Sequence, residues 1–227
     1  MKNLFRKGYF FASVGFFVLY GSVQADPSSR IIKDLTFPSG FSKIVISGRW
    51  QVDLQVKPKD TFHLRADISK ERVNSIVIKR SFGVLYLRFA NKNLKIDPVK
   101  VVISAPSLRN IFLIGENSLD ISEFYGNSLR LDVKGKNQIH IKQVSKLRIE
   151  NLYLKGCGKN QIDLQGVVIK NLSLQLCGQN DVTGIISGGK LRVDASGLNS
   201  LTYSGTPSNE EIKSTGLMIH TTNNNNI

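Results

Sequence analysis

Leu129-Arg130-Leu131-Asp132-Val133-Lys134-Gly135-Lys136-Asn137-Gln138-Ile139-His140-Ile141 alternates apolar and polar residues on both sides of a Gly-x-Asn triplet. A period of two marks a β-strand with one buried face. The triplet recurs at Gly115–Asn117, Gly158–Asn160, Gly178–Asn180 and Gly197–Asn199, so the glycines fall 20, 23, 20 and 19 residues apart. The parity recurs with it. Leu172, Leu174 and Leu176 precede Gly178 as Leu129, Leu131 and Val133 precede Gly135, and Leu191, Val193 and Ala195 precede Gly197. Four residues after each glycine stand Leu119, Ile139, Ile162, Val182 and Leu201.

Five copies of one turn motif in one apolar parity are an internal repeat. A repeat near 20 residues with only β patterning reads as one coil of a β-solenoid. Each coil holds two or three short strands, and each strand bonds its equivalent in the next coil at about 4.8 Å. Even offsets from the glycine point into a shared core and odd offsets point to solvent. One coil cannot bury its own face, so the pattern must recur. A β-sandwich of hairpins would instead place turn signals every 8–12 residues or so, without a longer register. The fold expected is all-β, a parallel β-helix (β-solenoid) with coils of about 20 residues.

The rest of the chain agrees with this. Ile44-Val45-Ile46, Val52 to Val56, Ile76-Val77-Ile78 and Val84 to Leu87 are short β runs, and only Ser69–Asn74 suits a helical turn. Arg30–Val99 would supply the first strands and one end of the stack, and residues 100–220 the regular coils. Hydrophobic residues make up 41% of the 227, enough for a packed core and too many for a disordered polycation. Two cysteines exclude a disulfide-dense miniprotein and a four-cysteine zinc module.

Met1–Phe10 is basic, Phe11–Tyr20 is apolar, and Val23 and Ala25 stand where a signal peptidase requires small residues. Residues 1–25 therefore read as a signal peptide cleaved before Asp26; an uncleaved anchor is the alternative. No later stretch is apolar enough to span a bilayer, so no transmembrane segment remains after cleavage. The product is expected to be exported, periplasmic or extracellular. Residues 26–36 read as an N-terminal extension, 37–220 as the solenoid domain and 221–227 as an Asn-rich disordered tail.

The order of several motifs resembles one family. Phe41-Ser42-Lys43-Ile44-Val45-Ile46-Ser47-Gly48 is followed by Val52-Asp53-Leu54. Ala105-Pro106-Ser107-Leu108 leads into Leu113-Ile114-Gly115, and the Gly-x-Asn coils close on Tyr203-Ser204-Gly205-Thr206-Pro207. Together they resemble the exported bacterial "putative auto-transporter adhesin, head GIN domain" family over about residues 37–220. The resemblance implies a right-handed parallel β-helix and an adhesin-like role. The chain departs from the family where Cys157 and Cys177 replace the small serine common before the glycine, and in its basicity.

Four groups of residues are candidates for a role. Asn117, Asn137, Asn160, Asn180 and Asn199 would stack as an internal amide ladder, a structural role; lining a ligand groove is the alternative. Cys157 and Cys177 occupy one register 20 residues apart, within reach of a disulfide that closes one coil; two stacked thiols are the alternative. Asp120, His140 and Asp163, with Thr183 and Thr202, form an outward column. There His140 between two carboxylates would be an acid–base or metal site, or simply a polar ladder. Trp50, with Arg49 and Tyr86, would either cap the core or offer a sugar-stacking surface.

No hydrolase elbow, phosphate loop, dinucleotide fingerprint, metalloprotease motif or Cys-x-x-Cys occurs, so the chain is read as no enzyme, without cofactor or metal. Lys and Arg total 31 against 17 Asp and Glu, a net +14, or +11 once Lys2, Arg6 and Lys7 leave with the leader. Such a surface attracts glycans or anionic envelope polymers, and its cations also deter edge-to-edge aggregation. Aromatics are sparse and no nucleic-acid module is present, which argues against specific nucleic-acid binding. The expected function is an exported, non-catalytic, adhesin-like binding module. A structural envelope scaffold is the second reading and a carbohydrate-active solenoid enzyme the third.

Overall fold

The computed structural model describes residues 21–25, 30–37, 41–57, 62–91, 97–142 and 148–222. Most of the expected leader, residues 1–20, and most of the expected tail, residues 223–227, lie outside the described residues.

The alternating segments form twelve strands: β1 (Gly21–Ala25), β2 (Arg30–Phe37), β3 (Lys43–Val56), β4 (Phe62–Ser69), β5 (Ile76–Ser81), β6 (Val84–Phe89), β7 (Val99–Ala105), β8 (Asn110–Phe124), β9 (Ser128–Ile141), β10 (Arg148–Ile186), β11 (Lys190–Ser204) and β12 (Asn209–Thr222). A 3-10 turn over Lys70–Ser75 is the only other regular element among the described residues, close to the helical turn expected at Ser69–Asn74. The protein is all-β.

All twelve strands belong to one open sheet in the order β1-β2-β4-β7-β3-β8-β9-β10-β11-β12, with the β5–β6 hairpin attached to β3 through β6. From β3 to β12 neighbouring strands run parallel. Like residues face each other across them: Gly48, Gly115, Gly135 and Gly158 in one run, Gly178 and Gly197 in the next. β10 carries two copies of the repeat, meeting β9 through Asn151–Asp163 and β11 through Leu172–Ile185. The 20-residue spacing is thus the distance along the chain between facing residues.

Each long strand bends at its repeat glycine. Gly48, Gly115, Gly135, Gly158, Gly178 and Gly197 have φ between +94° and +126°, a region closed to most side chains. A second constraint acts at Gly135, where a Cβ would overlap the carbonyl oxygen of Gly115 in the strand below. Parity survives the bend, so the same side of the sheet is buried on both arms. Ile44, Ile111, Leu131, Leu154, Leu174 and Val193 form one inward column, each at most 1% exposed. All the buried apolar residues join one cluster.

The N-terminal third pairs differently. β2, β4 and β7 are antiparallel neighbours, β7 joins the second arm of β3 in parallel, and β6 joins its first arm. β2 begins at Arg30, inside the stretch read as an N-terminal extension, and pairs with β4 over its whole length. Gly21–Ala25, the end of the expected leader, pairs antiparallel with β2. At the other end β12 continues to Thr222. Aromatic rings fill the N-terminal core, where Phe37, Phe41 and Phe62 meet with centroids 3.6–6.1 Å apart.

Candidate functional site

The repeat asparagines come together in the core. Asn117, Asn137, Asn160, Asn180 and Asn199 are 1–5% exposed. Each Nδ2 donates to the Oδ1 of the next: Asn117 to Asn137 at 2.8 Å, Asn137 to Asn160 at 2.9 Å, Asn160 to Asn180 and Asn180 to Asn199 at 2.7 Å. Asn137 and Asn180 use their second Nδ2 proton on the carbonyl three residues earlier, and Asn199, last in the ladder, donates to the carbonyl of Ser196. A buried amide must be satisfied or it costs about 1–3 kcal/mol, and a column of identical amides satisfies itself. These side chains are committed to one another and line no surface.

Trp50 occupies the asparagine position of an earlier copy, facing Asn117. Its Nε1 donates to the Ser47 carbonyl at 3.0 Å, repeating the bond that the asparagines make three residues back. The indole is fully buried and stacks on Phe89 at 5.0 Å. Burial rules out Trp50 as a sugar-stacking surface. Because its single N–H is used on Ser47, Asn117 Oδ1 at the head of the ladder has no partner among the described residues.

At the bend, Cys157 and Cys177 are joined by a disulfide with Cα atoms 4.6 Å apart, linking the two copies within β10. On the second arm, Asp120 faces His140 and His140 faces Asp163. His140 Nδ1 lies 3.7 Å from Asp163, Asp120 lies 3.6 Å from the Lys142 ammonium, and the Thr183 hydroxyl donates to Asp163 at 3.1 Å. Each carboxylate therefore has its own polar neighbour. None of the three column residues lines the groove across β8 to β11 described below or the smaller one beside Arg148 and Glu150. Among the described residues no cluster of His, Cys, Asp or Glu has the makings of a metal site.

The first arm is different. Five residues before each bend the outward row reads Lys43, Asn110, Arg130 and Tyr153, in register across β3 to β10, and continues as Ser173 and Arg192. The row beside it contains Val45, Phe112 and Asp132, with Tyr86 facing Val45 from β6. The Lys43 ammonium sits 4.0 Å above the Phe112 ring and the Arg130 guanidinium 4.3 Å from the Tyr153 ring, both at cation–π distance. Ile114 is exposed at the end of the same face.

A shallow groove of about 450 Å³ crosses the starts of β8 to β11 on this side, lined by Arg109, Arg130, Asn151, Tyr153, Asn171, Ser173, Lys190 and Arg192 among others. Its polar groups are ordered. Asn171 Nδ2 donates to Asn151 Oδ1 at 3.1 Å, and the Tyr153 hydroxyl donates to Gln175 Oε1 at 2.5 Å. Arg130 pairs with Asp132 at 3.1 Å, and Lys190 and Arg192 share Glu211 at 2.8 and 3.8 Å. The hydrogen bond from Lys190, and then the charge of Arg192, hold the Glu211 carboxyl below the usual range. Four cations against two carboxylates leave the groove positive. The groove therefore brings amide and hydroxyl groups, an aromatic ring and an excess of cations onto one surface.

Tyr153 and this groove were not singled out from the sequence. The signal was present as the column five residues before the glycine, where cation and aromatic follow each other. Reading it required knowing which offsets lie on which arm of the bend.

Residues 40–153 match the family model described as "Putative auto-transporter adhesin, head GIN domain". Among solved structures, a "putative adhesin" from Bacteroides fragilis aligns over 88% of this chain and 100% of its own, at 16% identity and a TM-score of 0.57. A "putative adhesin" from Parabacteroides merdae aligns over 87% and 98%, at 11% identity and a TM-score of 0.53. At those identities the likeness is one of fold. No curated protein sequence matches the chain.

Proposed function

The chain belongs to the head GIN domain family, and from that premise we propose that it is an exported, non-catalytic binding module that holds a linear glycan or anionic envelope polymer. The observation that carries this reading is the groove across β8 to β11, where Arg130 and Tyr153 stack beside Arg109, Lys190 and Arg192. It is open and shallow, which suits a polymer laid across successive strands better than a small molecule enclosed on all sides. A rigid sheet holds these side chains at fixed spacing, so little ordering entropy opposes binding.

The wider architecture in this reading is a right-handed β-solenoid with coils of about 20 residues over 37–220, entered after a leader cleaved before Asp26. Facing glycines and a bend in every coil support the solenoid. The basic start, apolar run and Val-x-Ala site support the leader. Among the described residues no helix is long and apolar enough to cross a membrane. The asparagine ladder and the Cys157–Cys177 bond act structurally, holding coils in register. The Asp120/His140/Asp163 column is a solvated ladder, its carboxylates already paired and outside both the groove across β8 to β11 and the smaller one beside Arg148.

The test is an array of neutral and acidic glycans probed with the purified chain at low and at high salt. Binding to one class of acidic glycan that persists at high salt is the expected result. Equal binding to every polyanion that disappears with salt would reduce the site to net charge and sink the proposal.

A further inference from the structure

The inward columns of the sheet do not end the way they run. Leu131, Leu154, Leu174 and Val193 are at most 1% exposed, yet Ile212, the next in the column, is 37% exposed. In the other arm Ile139, Ile162, Val182 and Leu201 are likewise buried, and Ile219 beyond them is 37% exposed. Among the described residues β12 pairs with β11 alone, so its outer edge presents a row of backbone N–H and C=O groups with no strand beside it there. Met218 on its outward face is 65% exposed. A long, partly apolar edge is a template for another strand.

We propose that this edge is a self-association surface and that its occupant is a second copy of the chain, paired antiparallel through β12 about a two-fold axis at the bend. The bend makes the match possible. A two-fold axis through Thr215–Gly216 exchanges the two arms of the strand and reverses their direction. Ile212 of one copy then faces Ile219 of the other, so both apolar columns continue across the junction. The remaining pairs agree with this register. Inside, Ser214 meets Leu217, and the Thr221 hydroxyl meets the Glu210 carboxylate. Outside, Glu211 meets His220, and Lys213 lies beside the apolar Met218. Opposite residues of an antiparallel pair share a face, so this one register matches inward with inward at every position.

Charge favours the same partner. The whole chain carries +14, which keeps copies apart. β12 holds Glu210 and Glu211 against the single Lys213, so at this edge the repulsion is locally absent. The outer strand of the hairpin that branches from β3, β5, carries Lys79 and Arg80 instead, residues that discourage strand addition. A closed two-fold pair uses up the edge and gives a dimer, whereas head-to-tail addition would give an open filament.

Sedimentation equilibrium of the purified chain from about 1 to 100 µM tests this, together with the variants Ile219→Lys and Met218→Lys. The expected result is a monomer–dimer equilibrium with a micromolar dissociation constant, weakened at least about tenfold by either substitution. Ile219→Lys breaks an apolar column. Met218→Lys sets a second lysine against Lys213 of the other copy and, being on an already exposed side chain, leaves the fold intact. Circular dichroism of each variant confirms folding; should Ile219→Lys fail to fold, Met218→Lys decides alone. A chain that stays monomeric at 100 µM, a dimer unaffected by Met218→Lys, or an assembly that grows beyond two would each overturn the proposal.

Discussion

The strands over Asn110–Ser204 and those over Arg30–Ala105 bury residues of the same kind, but they solve the pairing problem in opposite ways. In the repeated region every strand faces a near-copy of itself, so parallel register follows from sequence identity alone: glycine on glycine, asparagine on asparagine, leucine on leucine or isoleucine. In the N-terminal region no copy is available. There β2, β4 and β7 pair antiparallel by alternation, and the rings of Phe37, Phe41 and Phe62 pack together in the core. β3 joins the two. It has the repeat's glycine at 48 but carries Trp50 in the asparagine position, and the indole N–H makes the same bond three residues back. Trp50 thus ends the ladder with an aromatic ring, which stacks on Phe89 instead of on another amide.

The sharpest way to break this contrast uses two glycines with positive φ. Gly135→Ala meets both a disallowed backbone and the Gly115 carbonyl oxygen, and is expected to cost about 3–5 kcal/mol. Gly83 has φ +71° in the β5–β6 turn with nothing within 4 Å, so Gly83→Ala should cost only about 1–2 kcal/mol. Urea unfolding of the two variants measures the difference; equal costs would mean that the bend is not set by backbone contact.

Position along the ladder comes next. Asn160→Leu removes a donor to Asn180 and an acceptor that serves both the backbone and the amide of Asn137, an expected loss of about 2–4 kcal/mol. Asn117→Leu, at the end where Oδ1 already has no partner among the described residues, should cost about 1–2 kcal/mol. Reversed ranks in the same assay would show that the ladder does not act as a chain. Reduction of Cys157–Cys177 opens a closed loop between two copies and is expected to cost about 2–3 kcal/mol. Hydrogen exchange should speed up across β9 to β11 and leave β2 and β4 unchanged.

The smallest effect is a pH dependence confined to the last two strands, β11 and β12. Burial, and then the hydrogen bond and charge of Glu210, push the Tyr203 hydroxyl up to about 12. The neutral phenol is therefore favoured in the folded chain. The unfolded chain loses its proton near pH 10, so the stabilisation is intact below pH 10 and declines as pH rises from 10 to 12. At most about 2–3 kcal/mol is lost over that window. Tyr203→Phe should flatten the decline, which thermal melts from pH 9 to 11.5 would show.

The sequence displayed its architecture through self-similarity, and where self-similarity faded, so did legibility. Gly48 and Gly216 also bend their strands, but Trp50 and Leu217 replace the asparagine that marked the other copies. Ile44, Ile46, Val52 and Leu54 keep the apolar parity on both sides of the first of them. The antiparallel pairing of β2 with β4 was hidden because alternation gives the buried face of a strand but not its partner. The outward column of Asp120, His140 and Asp163 was legible as a register, since offsets from the glycine give it directly. The groove was less so. Tyr153 and Arg192 are unremarkable one at a time and meet only when several strands lie side by side.

The central claim, that the groove itself recognises its ligand, is tested most directly by equilibrium binding of a polyuronate oligomer to Tyr153→Ala and to a control. Lys170→Gln is the control, in the second, smaller groove beside Arg148 and Glu150. Tyr153→Ala removes no formal charge, whereas Lys170→Gln removes one. At high salt, Tyr153→Ala should weaken binding at least about tenfold while Lys170→Gln leaves it within about twofold. Unchanged affinity in Tyr153→Ala, with the loss falling on Lys170→Gln instead, would contradict the claim.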